Sequence, residues 1–275
     1  MKVFKNLVKD SFSHLTKGGR SYHLWMAFLT LLMLIGMFCY YQQLEHGLSV
    51  TGMNDRVSWG LYISNFTFLV GVAAAAVMLV LPTYVLKDID FQQAVLIGEG
   101  LAVAALIMCL AFVVADMGGP ARLWHLIPFI GVFNFPNSML TWDVLVLNGY
   151  LFINLSIPFY ILIKRYQGKT PNPKIYIPGV FISVFWAVAI HLVTAFLYQG
   201  LQARPFWNNA LLGPRFLASA FAAGPALIIL TLAVIRNFTN FKVSDQTIHK
   251  ISMVVTVAAQ INLIMLISEL FKEFY

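Results

Sequence analysis

Asp143, Tyr150 and Asn154 follow one another at spacings of seven and four residues. At 3.6 residues per turn this sets all three within about 20° of one helix face. A carboxylate, a phenol and an amide in line can exchange protons and hydrogen-bond a polar ring substituent. The same row also serves plain helix packing, with the carboxylate favoured by the dipole at a helix start. His191, with Thr194 and Tyr198 on a similar face, adds the side-chain type best suited to proton exchange near neutral pH. A lone histidine is as readily a satisfied interhelical hydrogen-bonder. Asn65, Arg215 and Glu269, with Asn262 one face-repeat before Glu269, extend the set. Arg215 follows Pro214 at a helix start, where a cation opposes the dipole, so a carboxylate partner among Asp116, Asp143 and Glu269 is expected. Glu269 reads equally as a solvated group at a helix end. Glu99 stands apart, with Gln92 seven residues before it on the same face. A carboxylate buried without a cation must be neutral or paired, which suits a proton path or a structural hydrogen bond.

The elements that must position these groups are set by composition. Of 275 residues, 60% are hydrophobic and 11% charged, against roughly 25% charged in an ordinary soluble domain. The solvent is therefore lipid, which excludes a water-soluble enzyme, a nucleic-acid binder and a disordered chain. Seven apolar runs are long enough to cross a bilayer, at about 22–42, 58–84, 92–115, 139–164, 175–198, 214–236 and 248–271. The expected fold class is an all-α polytopic transmembrane bundle, with residues 1–21 as a cytoplasmic N-terminal segment and 22–275 as the bundle. With the N-terminus cytoplasmic, 13 of the 18 Lys and Arg fall inside, and KRYQGK (164–169) is the firmest anchor. That places the protein in the cytoplasmic membrane. The loops 116–138 and 200–215, rich in Pro, Gly and aromatics, read as short interfacial helices and turns, with Trp124 and Trp207 at headgroup level. They form either a dock for an extracytoplasmic partner or an aromatic belt against lipid.

In this topology the polar set gathers toward the outer face. His, Asp, Tyr, Asn and Arg within an aromatic bundle suit a quinone, whose ring is apolar, whose two oxygens need hydrogen bonds and whose reduction takes two protons. Asp143, His191 and Tyr150 are the candidate catalytic groups. Asn65, Asn154, Arg215 and Glu269 are candidates for holding the ring. Glu99, Gln92 and Gln260 are candidates for a proton path from the inner side. Two cysteines, Cys39 and Cys109, and one deep histidine leave no ligand set for an iron–sulfur cluster or a bis-histidine haem, so no metal centre is expected in this chain. There is no Walker A motif for an ATP-driven pump, and Gly98-Glu99-Gly100 reads as helix packing. A proton-coupled secondary transporter could use Glu99, Asp143 and His191, although paired, interrupted helices in two halves are not evident. A structural anchor for a redox complex would need no polar cluster.

WGLYISNFTFLVGVAAAAVM (59–78), DMGGPARLWH (116–125), NSMLTWDVLVLNGYLF (137–152), ARPFWNNALLGPRFLASAFAAGPA (203–226) and SELFKEFY (268–275) resemble the NrfD/polysulfide reductase membrane-subunit family. Within it they are most similar to the DsrP-like branch found in DsrMKJOP complexes. The likeness covers nearly the whole chain, with five separated motifs in order. It implies a cofactor-free helical subunit that exchanges electrons between a membrane quinone, menaquinone or another, and an extracytoplasmic ferredoxin-like iron–sulfur subunit. It further implies a neighbouring multihaem cytochrome c, other membrane subunits and a role in sulfur metabolism; coupling to proton movement stays open at this point. Family members carry eight to ten spans and continue beyond the segment matching SELFKEFY, so this chain is expected to be truncated at its C-terminus.

Overall fold

In lipid, every backbone N–H and C=O must find its partner within its own segment, which a helix provides and an open strand does not. The computed structural model describes residues 2–85, 87–92 and 94–275, leaving aside the side chains at 2–5, 8, 14, 75, 81, 89 and 90. A short α1 (Lys2–Leu15) precedes α2 (Arg20–His46) and α3 (Leu61–Tyr84). The single turn α4 (Ile89–Gln92) leads into α5 (Val95–Asp116), and α6 (Met139–Tyr166), α7 (Pro173–Gln199), α8 (Leu212–Phe238) and α9 (Asp245–Phe274) follow. Apart from α1 and α4, each of these is long and apolar enough to cross a bilayer. The protein is an all-α, multi-pass integral membrane protein.

The spans match the apolar runs to within a few residues, α3 and α5 starting three residues later and the other five running longer, because caps rather than hydropathy end a helix. The Asn172 side chain accepts from Lys174 N to start α7, and Ser244 accepts from Thr247 N to start α9. One expectation fails. The run 92–115 is not one helix: α4 ends at Gln92 and α5 begins at Val95, so Gln92 and Glu99 do not share a helix face.

α3 is the central element. Its GVAAAAV stretch lets neighbouring backbones close in: a Cβ built on Gly71 would lie 3.4 Å from Cα of Ala220 on α8. Between α6 and α7 the lock is Trp186, whose ring lies 2.6 Å from a Cβ built on Gly149 and whose Nε1 donates to Val146 O at 2.8 Å. That contact fixes the relative rotation of the two helices carrying Asp143 and His191. α2 is the opposite of α3: most of the apolar stretch of α3 is buried, whereas among the described residues of α2 only Gln43 is. One polar node holds α2 near its C-terminal end, where Gln43 Nε2 donates to Ala115 O at 2.7 Å and its Oε1 accepts from Tyr62 Oη at 2.7 Å.

The bundle has two unlike ends. At the loop end, residues 120–126 form a 3₁₀ helix and residues 200–211 form turns. Trp124 is half-exposed there, but Trp207 turns inward, stacked on Trp59 at 5.6 Å and edge-on to Tyr198 at 5.0 Å. The aromatic partners on α7 and before α3 thus draw Trp207 into the bundle. At the basic end lie the 164–174 connection and the ion pairs Arg236–Asp245 and Lys250–Asp88.

Candidate functional site

Two adjoining cavities open between α3, α7 and α8 at the loop end. The outer one, about 310 Å³, is lined by Ser64, Thr67, Tyr198, Trp207, Arg215 and Asn262 among others. The deeper one, about 270 Å³, reaches His191 and Gly71. They share Ser64, Thr67, Phe216 and Ser219, so they form one slot leading from the loop end to His191. Its walls are otherwise apolar, with Phe68, Val70, Phe206 and Leu212.

Several acceptors in this slot lack a donor from the protein. His191 Nδ1 lies 2.7 Å from Ala187 O. A carbonyl only accepts, so Nδ1 carries the hydrogen, and in the neutral ring Nε2 is left as an acceptor. That Nε2 is buried without a partner. Asn262 Oδ1 is likewise buried and unmatched. Thr67 donates to Ile63 O at 2.9 Å, so the 2.6 Å contact with Tyr198 is donated by the phenol. Ser64 donates to Gly60 O. The hydroxyl hydrogens of Ser64, Thr67 and Tyr198 are thus spent on the protein, while lone pairs remain. Buried acceptors without donors cost free energy, on the order of 1–3 kcal/mol each, that a donating ligand recovers.

Arg215 pairs with Glu269, of the three carboxylates its position at a helix start allowed. Glu269 is 1% exposed and is therefore no solvated helix end, and its Oε1 has no partner. The pair joins α8 to α9 beside the outer cavity.

Asp143 is buried on α6 and accepts from Thr194 Oγ1 at 2.9 Å. Thr194 is one turn from His191, so Asp143 fastens the turn of α7 that carries the histidine, but it does not line the slot. Tyr150 is fully buried, its hydroxyl 3.4 Å from Ala73 O, and Asn154 Nδ2 donates to Tyr150 O at 2.9 Å. This row faces the packed interior between helices. Asn65 is half-buried on α3 and outside both linings, where Ser64 and Thr67 take its place. Ser64, Thr67 and Gly71 recur at i, i+3 and i+7, a helical face that periodicity could have marked; small hydroxyls also pack helices generally, so the signal is weak.

Toward the basic end, Glu99 is buried and hydrogen-bonded by Tyr84, with its Oε2 unmatched. It shares a small void with Asn154 and Ser183 next to Pro158, whose missing N–H frees the Asn154 carbonyl. Gln92 lines a larger cavity together with Tyr84. Tyr84 thus lies between the cavity that Gln92 lines and Glu99. Gln260 is exposed on α9 and reaches neither space.

Comparison with known proteins gives the setting. Residues 49–273 match the family described as Polysulphide reductase, NrfD. A putative membrane subunit of the dimethyl sulfoxide reductase of Halobacterium salinarum is 25% identical over 85% of this chain and 55% of its own length. A subunit of the selenate reductase of Mesobacillus selenatarsenatis is 22% identical over 92% of this chain and 65% of its own. The Hdr-like menaquinol oxidoreductase integral membrane subunit of Archaeoglobus fulgidus is 23% identical over 80% of this chain and 52% of its own. The chain spans between about half and two thirds of the length of these relatives.

Proposed function

The chain belongs to the polysulphide reductase NrfD family, and from that premise we propose that it is the quinone-reacting membrane subunit of a respiratory redox complex. The observation that carries the reading is the slot that ends at the unmatched acceptor His191 Nε2. A hydroquinone supplies what this slot lacks: a flat apolar ring with two O–H donors. Its oxidation releases two electrons and two protons. His191 Nε2 accepts one hydroxyl hydrogen and then that proton as the electrons leave, and the second proton passes to water through the mouth of the slot at the loop end. Asp143, through Thr194, keeps the α7 turn in place, and Tyr150 and Asn154 hold α6 against α3. Arg215 and Glu269 frame the mouth.

The electrons pass to an iron–sulfur partner of ferredoxin type docked on the loop end. Exposed Phe129, Ile130 and Val132, with Trp124 beside them in sequence, give that partner an apolar ridge. Menaquinol is the proposed substrate, supported by a relative named as a menaquinol oxidoreductase subunit. A multihaem cytochrome c, sulfur-compound metabolism and a DsrP-like setting belong to the same proposal, on the strength of the motif likeness. So do a cytoplasmic-membrane location with the basic end inside and a proton route from Gln92 through Tyr84 to Glu99 and Asn154.

Photoaffinity labelling with an azido-menaquinone tests the site. Labelled peptides should map to α3 near 64–71, α7 near 191–198 and α8 near 215–223. Exclusive labelling of the basic end would overturn the assignment. A cysteine at 169 that reacts with an impermeant reagent in sealed cells would reverse the orientation.

A further inference from the structure

A second polar cavity, of about 260 Å³, lies at the basic end, where α3 and α6 finish and α5 and α7 begin. Its lining includes Lys87, Arg165, Thr83, Gln92 and Tyr176 and, among the described residues, no carboxylate. Neither Lys87 nor Arg165 has an ion-pair partner among the described residues, whereas nearby Lys250 is engaged by Asp88 at 2.7 Å. Thr83 is 6% exposed, and its hydroxyl is buried with no hydrogen-bond partner. A helical threonine ordinarily turns its hydroxyl back on its own backbone, as Thr67 does to Ile63. Thr83 keeps a donor in hand.

Lys87 adds a second oddity. Its φ is +56°, in the left-handed region that glycine usually fills after a helix, and Asp88 N closes the turn onto Pro82 O at 3.0 Å. A lysine here carries strain that glycine would not, and it contributes a cation to the cavity lining. The far wall is fixed too: Asn172 N donates to Tyr160 Oη at 3.2 Å, and the Asn172 side chain caps α7. Two cations without an ion pair among the described residues and an unspent hydroxyl, with no described carboxylate in the lining, form a receptor for a phosphate oxyanion. Val95 and Ile161 supply apolar lining, and the cavity sits at the ends of the membrane-spanning helices α3 and α6, with Lys164, Lys169 and Lys174 in the same stretch of chain as its lining residues Arg165 and Pro171. An anion that continues into an apolar part uses both features.

We propose that this cavity binds the phosphodiester headgroup of an anionic phospholipid from the leaflet facing residues 164–174. Arg165 takes two phosphate oxygens, Lys87 supplies the second charge, and Thr83 donates the remaining hydrogen bond. Free inorganic phosphate presents the same oxyanion chemistry; the apolar lining favours the lipid.

The protein in its native complex, delipidated and moved into phosphatidylcholine nanodiscs, is titrated with phosphatidylglycerol. Retained lipid is read by native mass spectrometry, and Tm is followed alongside. Phosphatidylglycerol should be retained and raise Tm, and Lys87→Gln combined with Arg165→Gln should weaken it about tenfold or more. Equal retention in the double variant overturns the site. Equal retention of phosphatidylcholine overturns its anionic preference, and inorganic phosphate protecting as well as the lipid overturns the lipid as its source. Lys87→Gly guards against a folding artefact. It relieves the left-handed strain, so the lipid-free protein should melt no lower than wild type while its response to phosphatidylglycerol shrinks. A full response in that variant removes Lys87 from the site.

Discussion

The cavities at the two ends of the bundle are opposite in what they lack. At the loop end, His191 Nε2 and Asn262 Oδ1 are acceptors without donors. At the basic end, Thr83 holds a donor without an acceptor, and Lys87 and Arg165 line a cavity that has no carboxylate among its described residues. A buried polar group left unmatched is costly, so each imbalance specifies the complement that relieves it. A donor-rich neutral ring fits the first and an oxyanion fits the second. Volume alone would not have distinguished them, and hydrophobicity even less, since both lie in the same lipid-embedded helices.

The contrast between the ends is most vulnerable at Arg215. Arg215→Gln leaves Glu269 buried without its counter-ion, at a cost of about 3–5 kcal/mol, whereas replacing both by Met should be close to neutral. Thermal melts of the purified complex decide this; equal melts for wild type and the single variant would mean that the pair does not hold α8 to α9. Next in size is His191→Leu, which removes the orphan acceptor and should lower quinol-driven electron transfer on the order of a hundredfold with assembly intact. Wild-type turnover would dissolve the reading of the slot.

Asp143→Asn probes the same end more finely. The amide oxygen still accepts from Thr194, so turnover should fall only a few-fold, well short of the His191 effect. A loss as large as that of His191→Leu would place Asp143 in the proton transfer itself. The smallest effect on rate is expected at the other end. Glu99→Gln should leave quinol oxidation in uncoupled vesicles unchanged while abolishing proton uptake from the basic side, read with a pH dye in sealed vesicles. An unchanged proton-to-electron ratio would reduce Glu99 to a packing hydrogen-bonder.

What could be read from the chain beforehand divides along physical lines. The seven spans were legible because an apolar run of bilayer length has one outcome in lipid. That Arg215 needed a carboxylate was legible from the helix dipole; that it is Glu269 rather than Asp116 or Asp143 depends on how α8 meets α9, which is tertiary. The row Asp143–Tyr150–Asn154 does lie on one face, but periodicity does not say whether a face meets a cavity or another helix. Here the lock of Trp186 on Gly149 sets that rotation. Ser64, Thr67 and Thr83 escaped notice because a helical hydroxyl is usually satisfied by its own backbone. Only the structure shows which hydroxyls are spent and which is spare.

The single node at Gln43 has a mechanical consequence for α2. A helix whose one buried residue among those described is Gln43 behaves as a spar in a two-dimensional fluid: its inclination answers to membrane thickness, while that of α3 answers to its neighbours. In thinner bilayers α2 should lean further from the normal about the Gln43 pivot, and oriented solid-state NMR of α2 and α3 in short- and long-chain lipids would register the two responses separately. Equal tilt changes in both helices would mean that α2 is clamped along its length by something outside this chain. Gln43→Leu should loosen the pivot, so that one side chain sets how faithfully the bilayer's thickness is conveyed to the loops above the slot.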